Sequence, residues 1–294
     1  MDSGWEVSIY KRSIVPELVK LKKQFPKLLN IFELTNAHLA RNQNPIFLLI
    51  SDQEHDSFIE TYASSISPNT LFLYAHGYSQ TAYQLNKKFP KFQHAMFAFK
   101  SIAREIRENY LTKSLIMAAI DDSLITQDHS LTHQWLLDMA QAVGVKKHLV
   151  TSTFQEECMT DLFTEQTILC YFLPFLSAQS FEILKDKGIS SEMAFIESFY
   201  EMQLILNSLM RVGPAKFFSL ISQNALMGAE WARTYYQDGI TKEKMVKHLA
   251  LLGDMDLKSF FTKENYEQAK KNNQSFWENH PFQKAFEHWK NSCQ

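Results

Sequence analysis

The first half of the chain alternates short, strongly apolar runs with stretches of helical periodicity. The runs are apolar throughout rather than at every second position, which is typical of strands buried on both faces of a parallel sheet. We predict strands at Glu6–Tyr10, Ile46–Ile50, Leu71–Ala75, Ala95–Phe99, Leu115–Ile120 and His148–Thr151. Helical stretches such as Asp56–Ser64 and Leu131–Ala142 lie between them. This alternation predicts a doubly wound α/β domain with a parallel sheet over residues 1–152.

The strand pattern stops after about Phe154, and the rest of the chain has the periodicity of long helices. We predict helices at about Gln155–Leu169, Phe175–Lys185, Ser191–Arg211, Phe217–Gln237, Lys242–Leu252 and Lys263–Lys271. Gly188, Gly213 and Gly253 follow three of these helices, at the position where a left-handed residue commonly ends a helix. Residues 153–294 are therefore predicted to form an all-α domain.

Glycine is scarce in this chain, and its spacing excludes the usual phosphate-binding loops. There are 8 glycines in 294 residues, where average usage of about 7% predicts roughly twenty. No two of them lie close together, so neither G-x-G-x-x-G nor G-x-x-x-x-G-K-S/T occurs. The net charge of -2 also lacks the basic excess of a nucleic-acid-binding protein.

The remaining composition predicts a protein of the reducing cytoplasm. The cysteines, Cys158, Cys170 and Cys293, form no C-x-x-C pair and are expected to be reduced thiols. The longest apolar run, Ile168–Leu176, is much shorter than the roughly eighteen residues that a membrane span needs. Asp2 is unlike the start of a leader peptide. We therefore expect a cytoplasmic protein with neither membrane nor nucleic acid among its partners.

Two polar residues follow predicted strands at equivalent positions. His76 follows Leu71–Ala75, and Lys100 follows Ala95–Phe99. In an open parallel sheet, ligands bind outside the carboxyl ends of the strands. A histidine and a lysine there can supply a proton-transfer group and a cation for an anionic substrate, although every strand must end in something polar. The sequence predicts a candidate site at this edge of the sheet.

Two pairs of acidic residues in the helical half have the spacing of one helix face. Asp161 and Glu165 are four residues apart, and so are Glu197 and Glu201. The second pair lies in a stretch that is apolar on almost every side, where unpaired carboxylates are costly to bury. Oxygen ligands favour Mg²⁺ or Mn²⁺ over zinc, so the four acids predict a metal site. The alternative is two unrelated acidic surfaces, because residues 156–161 also fit a solvated helix start.

His129 and His133 form a further pair with the spacing of one helix face. Two imidazoles so spaced can hold a metal ion. Three acids lie near them in the sequence, at a predicted helix start: Asp121, Asp122 and Asp128. A solvated helix N-terminus is therefore the simpler interpretation of this pair, and a metal site is the alternative.

Several segments of the chain resemble one known family, the ketol-acid reductoisomerases. Thr151–Cys170, TSTFQEECMTDLFTEQTILC, resembles the signature T-T-F-x-E-E-x-x-T-D-L-F-G-E-Q-x-x-L-C, and EMAFIESFYEMQLI resembles M-A-Y-F-E-x-x-H-E-x-K-L-I. YAHGY resembles A-H-G-F, and LISQNAL resembles S-I-S-N-x-A. NNQSFWENHPFQKAFEHWK resembles the ending N-N-x-x-x-H-P-I-E-x-x-G-x-x-L-R. These segments occur in the family's order, and the resemblance extends over nearly the whole chain.

The resemblance implies a Rossmann-type domain followed by a knotted helical domain. It implies an oxidoreductase of branched-chain amino-acid biosynthesis that uses two Mg²⁺ ions and NADPH to convert 2-acetolactate or 2-aceto-2-hydroxybutyrate to a dihydroxy acid. In the family the second acid pair comes from a partner subunit, so a homodimer with a shared active site is implied. The implied residues are Asp161, Glu165, Glu197 and Glu201 for the metal, His76, Lys100 and Glu201 for catalysis, Ser222 for the substrate, and Arg12 and Ser13 for the cofactor.

The chain also departs from the family's pattern. The family opens with a strand, G-x-G-x-Q-G-x-A and a helix ending in R/D-S-G, whereas this sequence starts at Asp2-Ser3-Gly4. We therefore expect the cofactor loop to be missing and NADPH to bind weakly. The family's A-P-K-G-P-G-H is AFKSIAR here, its C-G-G is CYF, and the histidine of F-E-x-x-H-E is Tyr200. Two interpretations follow: an active reductoisomerase, or a non-catalytic dimeric relative that keeps the metal site as an interaction or scaffold protein.

Overall fold

The computed structural model describes residues 5–27, 29–42, 44–145, 149–236, 242–278 and 280–292. The chain divides into two compact units, Met1–Cys158 and Met159–Gln294. The division falls inside a helix that begins at Phe154, slightly later than the predicted boundary at 152/153. Cys293, His148 and residues 2–4, which entered the sequence predictions, lie outside the described residues.

The first unit is an α/β domain, as the sequence predicts. Its strands are β1 (Val7–Lys11), β2 (Leu29–Glu33), β3 (Ile46–Leu48), β4 (Leu71–Tyr74), β5 (Gln93–Phe99), β6 (Ala118–Asp121) and β7 (Leu149–Thr151). Its helices are α1 (Pro16–Gln24), α2 (Asn36–Ala40), α3 (His55–Tyr62), α4 (Tyr78–Tyr83), α5 (Leu85–Lys88), α6 (Ala103–Thr112) and α7 (His129–Ala142), and a 3-10 turn spans Asp52–Glu54. The described strands pair in two sheets, β1-β2 and β3-β4-β5-β6-β7.

The central strands of the larger sheet are buried on both faces. Along β4, Phe72 and Tyr74 belong to one apolar cluster, whereas Leu73 belongs to another. Along β5, Met96 and Phe97 divide between the same two clusters. Since successive side chains of a strand point to opposite faces, both faces of the sheet are covered. Burial on both faces therefore explains why the strands of this sheet are apolar at every position, as the sequence analysis assumes.

One pair of strands departs from the parallel prediction. β6 runs antiparallel to β5, with Phe99 opposite Ala118, while the other pairs are parallel. The chain re-enters the sheet at the end where it left, since the Lys100 N–H donates to the Met117 carbonyl at 2.9 Å. α6 lies on this return path, so β6 reverses the strand direction instead of following a crossover connection.

The second unit is helical, as predicted, and its first helix begins in the first unit. Its elements are α8 (Phe154–Thr164), a π-helical segment (Glu165–Leu176), α9 (Ser177–Asp186), α10 (Ser191–Phe195), a second π-helical segment (Ile196–Tyr200), α11 (Glu201–Val212), α12 (Pro214–Leu220), α13 (Gln223–Tyr235), α14 (Lys242–Asp254), α15 (Leu257–Phe260), α16 (Lys263–Glu278) and α17 (Pro281–Ser292). Together the two units confirm the predicted order of α/β then all-α. The knot implied for the helical domain stays a prediction.

Some of the predicted helix ends are wrong. The break predicted before Phe175 does not occur, because a continuous helix, Phe154–Asp186, passes through Pro174. The π-helical segment there accommodates a residue that cannot donate an α-helical hydrogen bond. Gly188 and Gly213 have φ of 83° and 77°, as predicted for residues that end helices. Gly253, in contrast, lies inside α14.

The second unit exposes many large apolar side chains. They include Ile168, Leu169, Leu176, Leu204, Ile205, Leu206, Met210, Met227, Trp231 and Tyr235. By length and composition alone, Phe154–Asp186 is apolar enough to cross a membrane, and only 22% of its most apolar part is buried. The sequence prediction found no such span because it counted only uninterrupted apolar residues. Exposed apolar surface of this kind is typical of protein interfaces as well as of membrane contact.

Candidate active site

His76 and Lys100 lie just beyond the carboxyl ends of two adjacent parallel strands. β4 pairs with β5 in parallel, with Leu71 opposite Gln93. His76 follows β4 and Lys100 follows β5, and both side chains are partly accessible. The structure thus places the two residues at the edge of the sheet where open α/β folds bind ligands, as the sequence predicts.

A third residue, Glu157 in α8, joins the first two. Its carboxylate accepts hydrogen bonds from the Gly77 N–H at 2.6 Å and from Lys100 Nζ. His76 Nε2 lies 3.5 Å from Glu157 Oε2. The Glu157 side chain is only 2% exposed, and a buried carboxylate is costly unless it is paired and hydrogen-bonded. The hydrogen bonds from Lys100 and from the Gly77 N–H therefore offset the cost of burying this carboxylate. Glu157 in turn holds the lysine in place.

The backbone beside His76 sets the position of its proton. The Tyr78 N–H donates to His76 Nδ1 at 3.2 Å. A neutral imidazole has one donor nitrogen and one acceptor nitrogen, so the proton of neutral His76 lies on Nε2. That nitrogen faces Glu157 Oε2. Neutral His76 therefore carries its proton on a buried nitrogen that lies close to the Glu157 carboxylate.

The lack of a side chain at Gly77 lets α8 approach this site. A Cβ on residue 77 would lie 2.0 Å from the Phe154 carbonyl oxygen and 3.1 Å from the Cys158 nitrogen. The Phe154 N–H donates to the Asp121 carboxylate at 2.7 Å, which fixes the start of the helix at the end of β6. The first turn of α8 therefore packs against the turn after β4, and this packing brings in Glu157.

A buried polar group lies near these residues. His55 Nδ1 is 2.6 Å from Ser79 Oγ and 3.6 Å from Asp52 Oδ1. Burial raises the pKa of Asp52, with the charge of Glu157 acting in the same direction, and burial lowers the pKa of His55. Serine and aspartate face the same nitrogen of His55, whereas a nucleophilic relay needs one on each nitrogen. The group therefore supports the site's structure and does not form a Ser-His-Asp triad.

Each pair of predicted metal ligands includes one residue in a π-helical segment. Asp161 is half-buried in α8, and Glu165 begins the π-helical segment that follows. Glu197 lies in the second π-helical segment, and Glu201 comes directly after it. π-helical turns are rare and are frequently found at functional sites. Both acid pairs thus coincide with the kind of irregularity that marks such sites.

The expectation that Glu197 and Glu201 are buried is wrong. Both side chains are exposed, and α11 has no buried residue. Their apolar neighbours Leu204, Ile205 and Leu206 are exposed as well. An apolar sequence pattern indicates a surface whose burial is favourable. It does not indicate whether that surface is buried by the same chain or by another molecule. The carboxylates are therefore accessible to a ligand in this chain.

The remaining predicted site residues are exposed. Arg12 and Ser13 follow β1, and the Arg12 guanidinium pairs with Glu54 at 3.1 Å. Ser222 caps α13 by accepting a hydrogen bond from a backbone N–H at 3.2 Å. This cap separates α12 from α13, so the single helix predicted over 217–237 is wrong. The cofactor role of Arg12 and Ser13 and the substrate role of Ser222 stay predictions.

Sequence reasoning misses Glu157. The pattern groups Glu157 with Glu156 at a solvated helix start. In the structure Glu156 is exposed, whereas Glu157 is buried. Glu156 accepts a hydrogen bond from the Ser152 hydroxyl. The available signal is the spacing of Glu157 and Asp161, which are four residues apart and so share a helix face.

The chain is similar to known proteins over most of its length. Residues 154–292 match the family described as "Ketol-acid reductoisomerase, C-terminal domain". The chain is 28% identical to "Ketol-acid reductoisomerase (NADP(+))" of Mycobacterium leprae, over 83% of this chain and 72% of that protein. It is 29% identical to the protein of the same name from Methanobrevibacter smithii, over 80% of this chain and 71% of that protein. The solved structure of an NADH-preferring ketol-acid reductoisomerase from an uncultured archean has a TM-score of 0.80 at 22% identity, covering 99% of this chain and 88% of that one, which confirms the fold.

Proposed function

We propose that the chain is a ketol-acid reductoisomerase that converts 2-acetolactate or 2-aceto-2-hydroxybutyrate to a 2,3-dihydroxy acid, on the basis of its similarity to that family. The observation that carries this proposal is the match of residues 154–292 to the family, because these residues include both acid pairs. NADPH is the proposed hydride donor, since both curated relatives are named for NADP(+). The proposed setting is branched-chain amino-acid biosynthesis in the cytoplasm.

The residues of the two acid pairs fit Mg²⁺. Asp161, Glu165, Glu197 and Glu201 offer carboxylate oxygens, the ligands that Mg²⁺ prefers. Burial raises the pKa of the Cys170 thiol, and the negative charges of Glu165 and Asp161 raise it further. The same negative electrostatic field of Glu165 and Asp161 attracts cations. Bound Mg²⁺ would act as a Lewis acid on the ketone and hydroxyl oxygens of the substrate.

The chain's own side chains have complementary roles in this proposal. Lys100 supplies a cation for the anionic substrate, and Glu157 holds the lysine in place. His76 and Glu201 take part in proton transfer, and the proton of neutral His76 lies on Nε2 beside Glu157. The exposed hydroxyl of Ser222 binds the substrate carboxylate. Arg12 and Ser13 bind the 2′-phosphate of NADPH, which requires Arg12 to exchange Glu54 for the phosphate.

We further propose a homodimer, in which the exposed apolar side chains of the helical unit are covered by a second copy. Large exposed apolar surfaces mark interaction sites, and obligate dimers bury about 2,000 Å² or more. Phe154–Asp186 lies wholly within the match to a reductoisomerase domain, and this favours a subunit contact over a membrane for its apolar side. Glu197 and Glu201 lie among these exposed side chains, so a second copy would complete the active site.

Turnover is the direct test of the proposed reaction. Purified protein with Mg²⁺, NADPH and 2-acetolactate should oxidise NADPH, as followed by its ultraviolet absorbance, and chelation of Mg²⁺ should stop the reaction. If Mg²⁺ and NADPH both bind but no turnover occurs, the chain is the non-catalytic relative that keeps the metal site as an interaction or scaffold protein. The altered segments AFKSIAR and CYF are the observation that favours this second candidate.

Mg²⁺ should stabilise the folded protein, and Asp161→Asn should remove most of this effect. A ligand that binds only the folded state adds about 2.7 kcal/mol at a concentration of about 100 times its Kd. Thermal unfolding with and without millimolar Mg²⁺ measures the difference. Glu192→Gln removes another exposed carboxylate, from α10, and should keep the full Mg²⁺ response. An unchanged melting curve for the unmodified protein would contradict the metal site.

Met210→Glu should weaken the dimer by about tenfold or more in Kd, because it places a charge on an apolar surface that the partner covers. Light scattering at micromolar concentration measures the change, and the unmodified chain should be a dimer there. Leu131→Glu adds a charge at an exposed apolar residue of α7, in the other unit, and should leave the dimer intact. A monomer at this concentration for the unmodified chain would contradict the proposed assembly.

A further inference from the structure

Two imidazoles and a carboxylate converge at the start of α7. Asp122 lies directly after β6, and its Oδ2 is 2.7 Å from His133 Nδ1 and 3.6 Å from His129 Nε2. The two rings are nearly parallel, with 10° between their planes and 6.3 Å between their centroids. Each ring therefore turns one nitrogen toward the same carboxylate oxygen.

These distances are close to those between ligands of a transition-metal ion. Zn²⁺ binds nitrogen and oxygen at about 2.0 Å, so two ligand atoms at corners of a tetrahedron lie about 3.3 Å apart. The two distances from Asp122 Oδ2 lie on either side of this value. The nitrogens of His129 and His133 that face Asp122 are more than 4.8 Å apart, so the rings must turn toward each other to share an ion. The His129 and His133 side chains are 55% and 44% exposed, so the rings have room to rotate toward a shared ion. Asp122, at 14% exposed, is the better fixed of the three ligands.

The residue types select the class of metal. Imidazole nitrogen suits Zn²⁺, Cu²⁺ and Ni²⁺, whereas Mg²⁺ prefers oxygen. Two histidines and one carboxylate are a ligand set of zinc enzymes, in which a water or a substrate takes the fourth position. A solvated helix start needs hydrogen-bond acceptors for its first N–H groups, and it does not need two imidazoles on one carboxylate. The contacts to Asp122 therefore distinguish the metal interpretation from the simpler one.

We propose that Asp122, His129 and His133 form a binding site for a divalent transition metal of the zinc class. The ligands are one nitrogen from each histidine and a carboxylate oxygen, with the remaining positions open to water. The site does not depend on the proposed reductoisomerase reaction, because it uses none of the residues assigned to that reaction.

Calorimetric titration with Zn²⁺ tests the site, in a buffer that holds excess Mg²⁺ to occupy the carboxylate ligands of the helical unit. The unmodified protein should bind one Zn²⁺ per chain at this site. His129→Gln and His133→Gln should each weaken binding by about tenfold or more, and the double variant should abolish it. The controls, His38→Gln and Asp138→Asn, remove an imidazole and a carboxylate elsewhere in the same unit and should bind Zn²⁺ as before.

Zn²⁺ binding that persists in the double variant would overturn the proposal, as would the absence of binding to the unmodified protein. Displacement of Zn²⁺ by rising Mg²⁺ would also overturn it, because the ion would then occupy the carboxylate ligands. Circular dichroism of the metal-free variants shows whether they fold. A second measurement needs no variant: Co²⁺ in place of Zn²⁺ should give a visible absorption spectrum that indicates nitrogen ligands, and a spectrum of oxygen ligands alone would contradict the site.

Discussion

Gly77→Ala should destabilise the protein by about 3 kcal/mol or more, because added atoms in a tightly packed place force the backbone to move. The new Cβ would lie 2.0 Å from the oxygen and 2.9 Å from the carbon of the Phe154 carbonyl. These are backbone atoms of α8, so no side-chain rotation relieves the clash. Displacement of α8 would also break the hydrogen bond from the Gly77 N–H to Glu157. Urea unfolding followed by circular dichroism measures the loss.

The matched control is Gly228→Ala. Gly228 lies inside α13, and nothing lies within 4 Å of the position that its Cβ would take. Alanine is a better helix former than glycine, so this variant should gain about 0.5–1 kcal/mol. A Gly77→Ala protein as stable as the unmodified chain would mean that α8 does not pack against the turn after β4.

Lys100→Met should lower kcat/KM by about a hundredfold or more and should also destabilise the fold. The substitution removes the cation that is proposed to bind the substrate. It also leaves the buried carboxylate of Glu157 with the Gly77 N–H but without Lys100. Removal of one member of a buried pair costs about 3–5 kcal/mol. The Lys100 side chain is 31% exposed, so water replaces part of the lost interaction and the lower end of that range is expected. Turnover and urea unfolding measure the two effects separately.

The double variant Lys100→Met/Glu157→Gln separates the structural role from the catalytic one. With the buried charge neutralised, most of the stability should return, while turnover stays low because no cation faces the substrate. Lys88→Met removes an exposed lysine paired with Asp56 and should change neither quantity appreciably. Full turnover in the double variant would show that Lys100 only supports Glu157 and does not act on the substrate.

The fold could be predicted where local sequence decides the structure. β4 and β5 are recognisable because helices cover both faces of the sheet, which demands apolar residues at every position. β2, LNIFE, is missed because Asn30 and Glu33 interrupt its apolar run. The helix through Pro174 is missed for another reason, since a change to π-helical hydrogen bonding cannot be read from residue types.

The same distinction applies to the site. His76 and Lys100 could be found because a strand end is visible in the sequence and its carboxyl end has a known use. The burial of Glu157 depends on donors 80 and 57 residues earlier, at Gly77 and Lys100, so only the folded chain shows it. The opposite error occurs at Glu197. Its apolar neighbours in the sequence predict burial, whereas its side chain is exposed in the single chain.

The small sheet of β1 and β2 gives the first unit two regions of unequal local stability. α1 contributes no buried residue to this part of the chain, and Leu29 is the buried residue of its two described strands. A two-stranded sheet is marginal by itself in water, so its amide hydrogens should exchange with solvent well before those of β4 and β5. Arg12 and Ser13 lie on this easily opened part. If a cofactor phosphate binds there, part of its binding free energy is used to order β1 and β2, so its affinity is lower. Binding of the cofactor should then slow the exchange of amide hydrogens in these two strands.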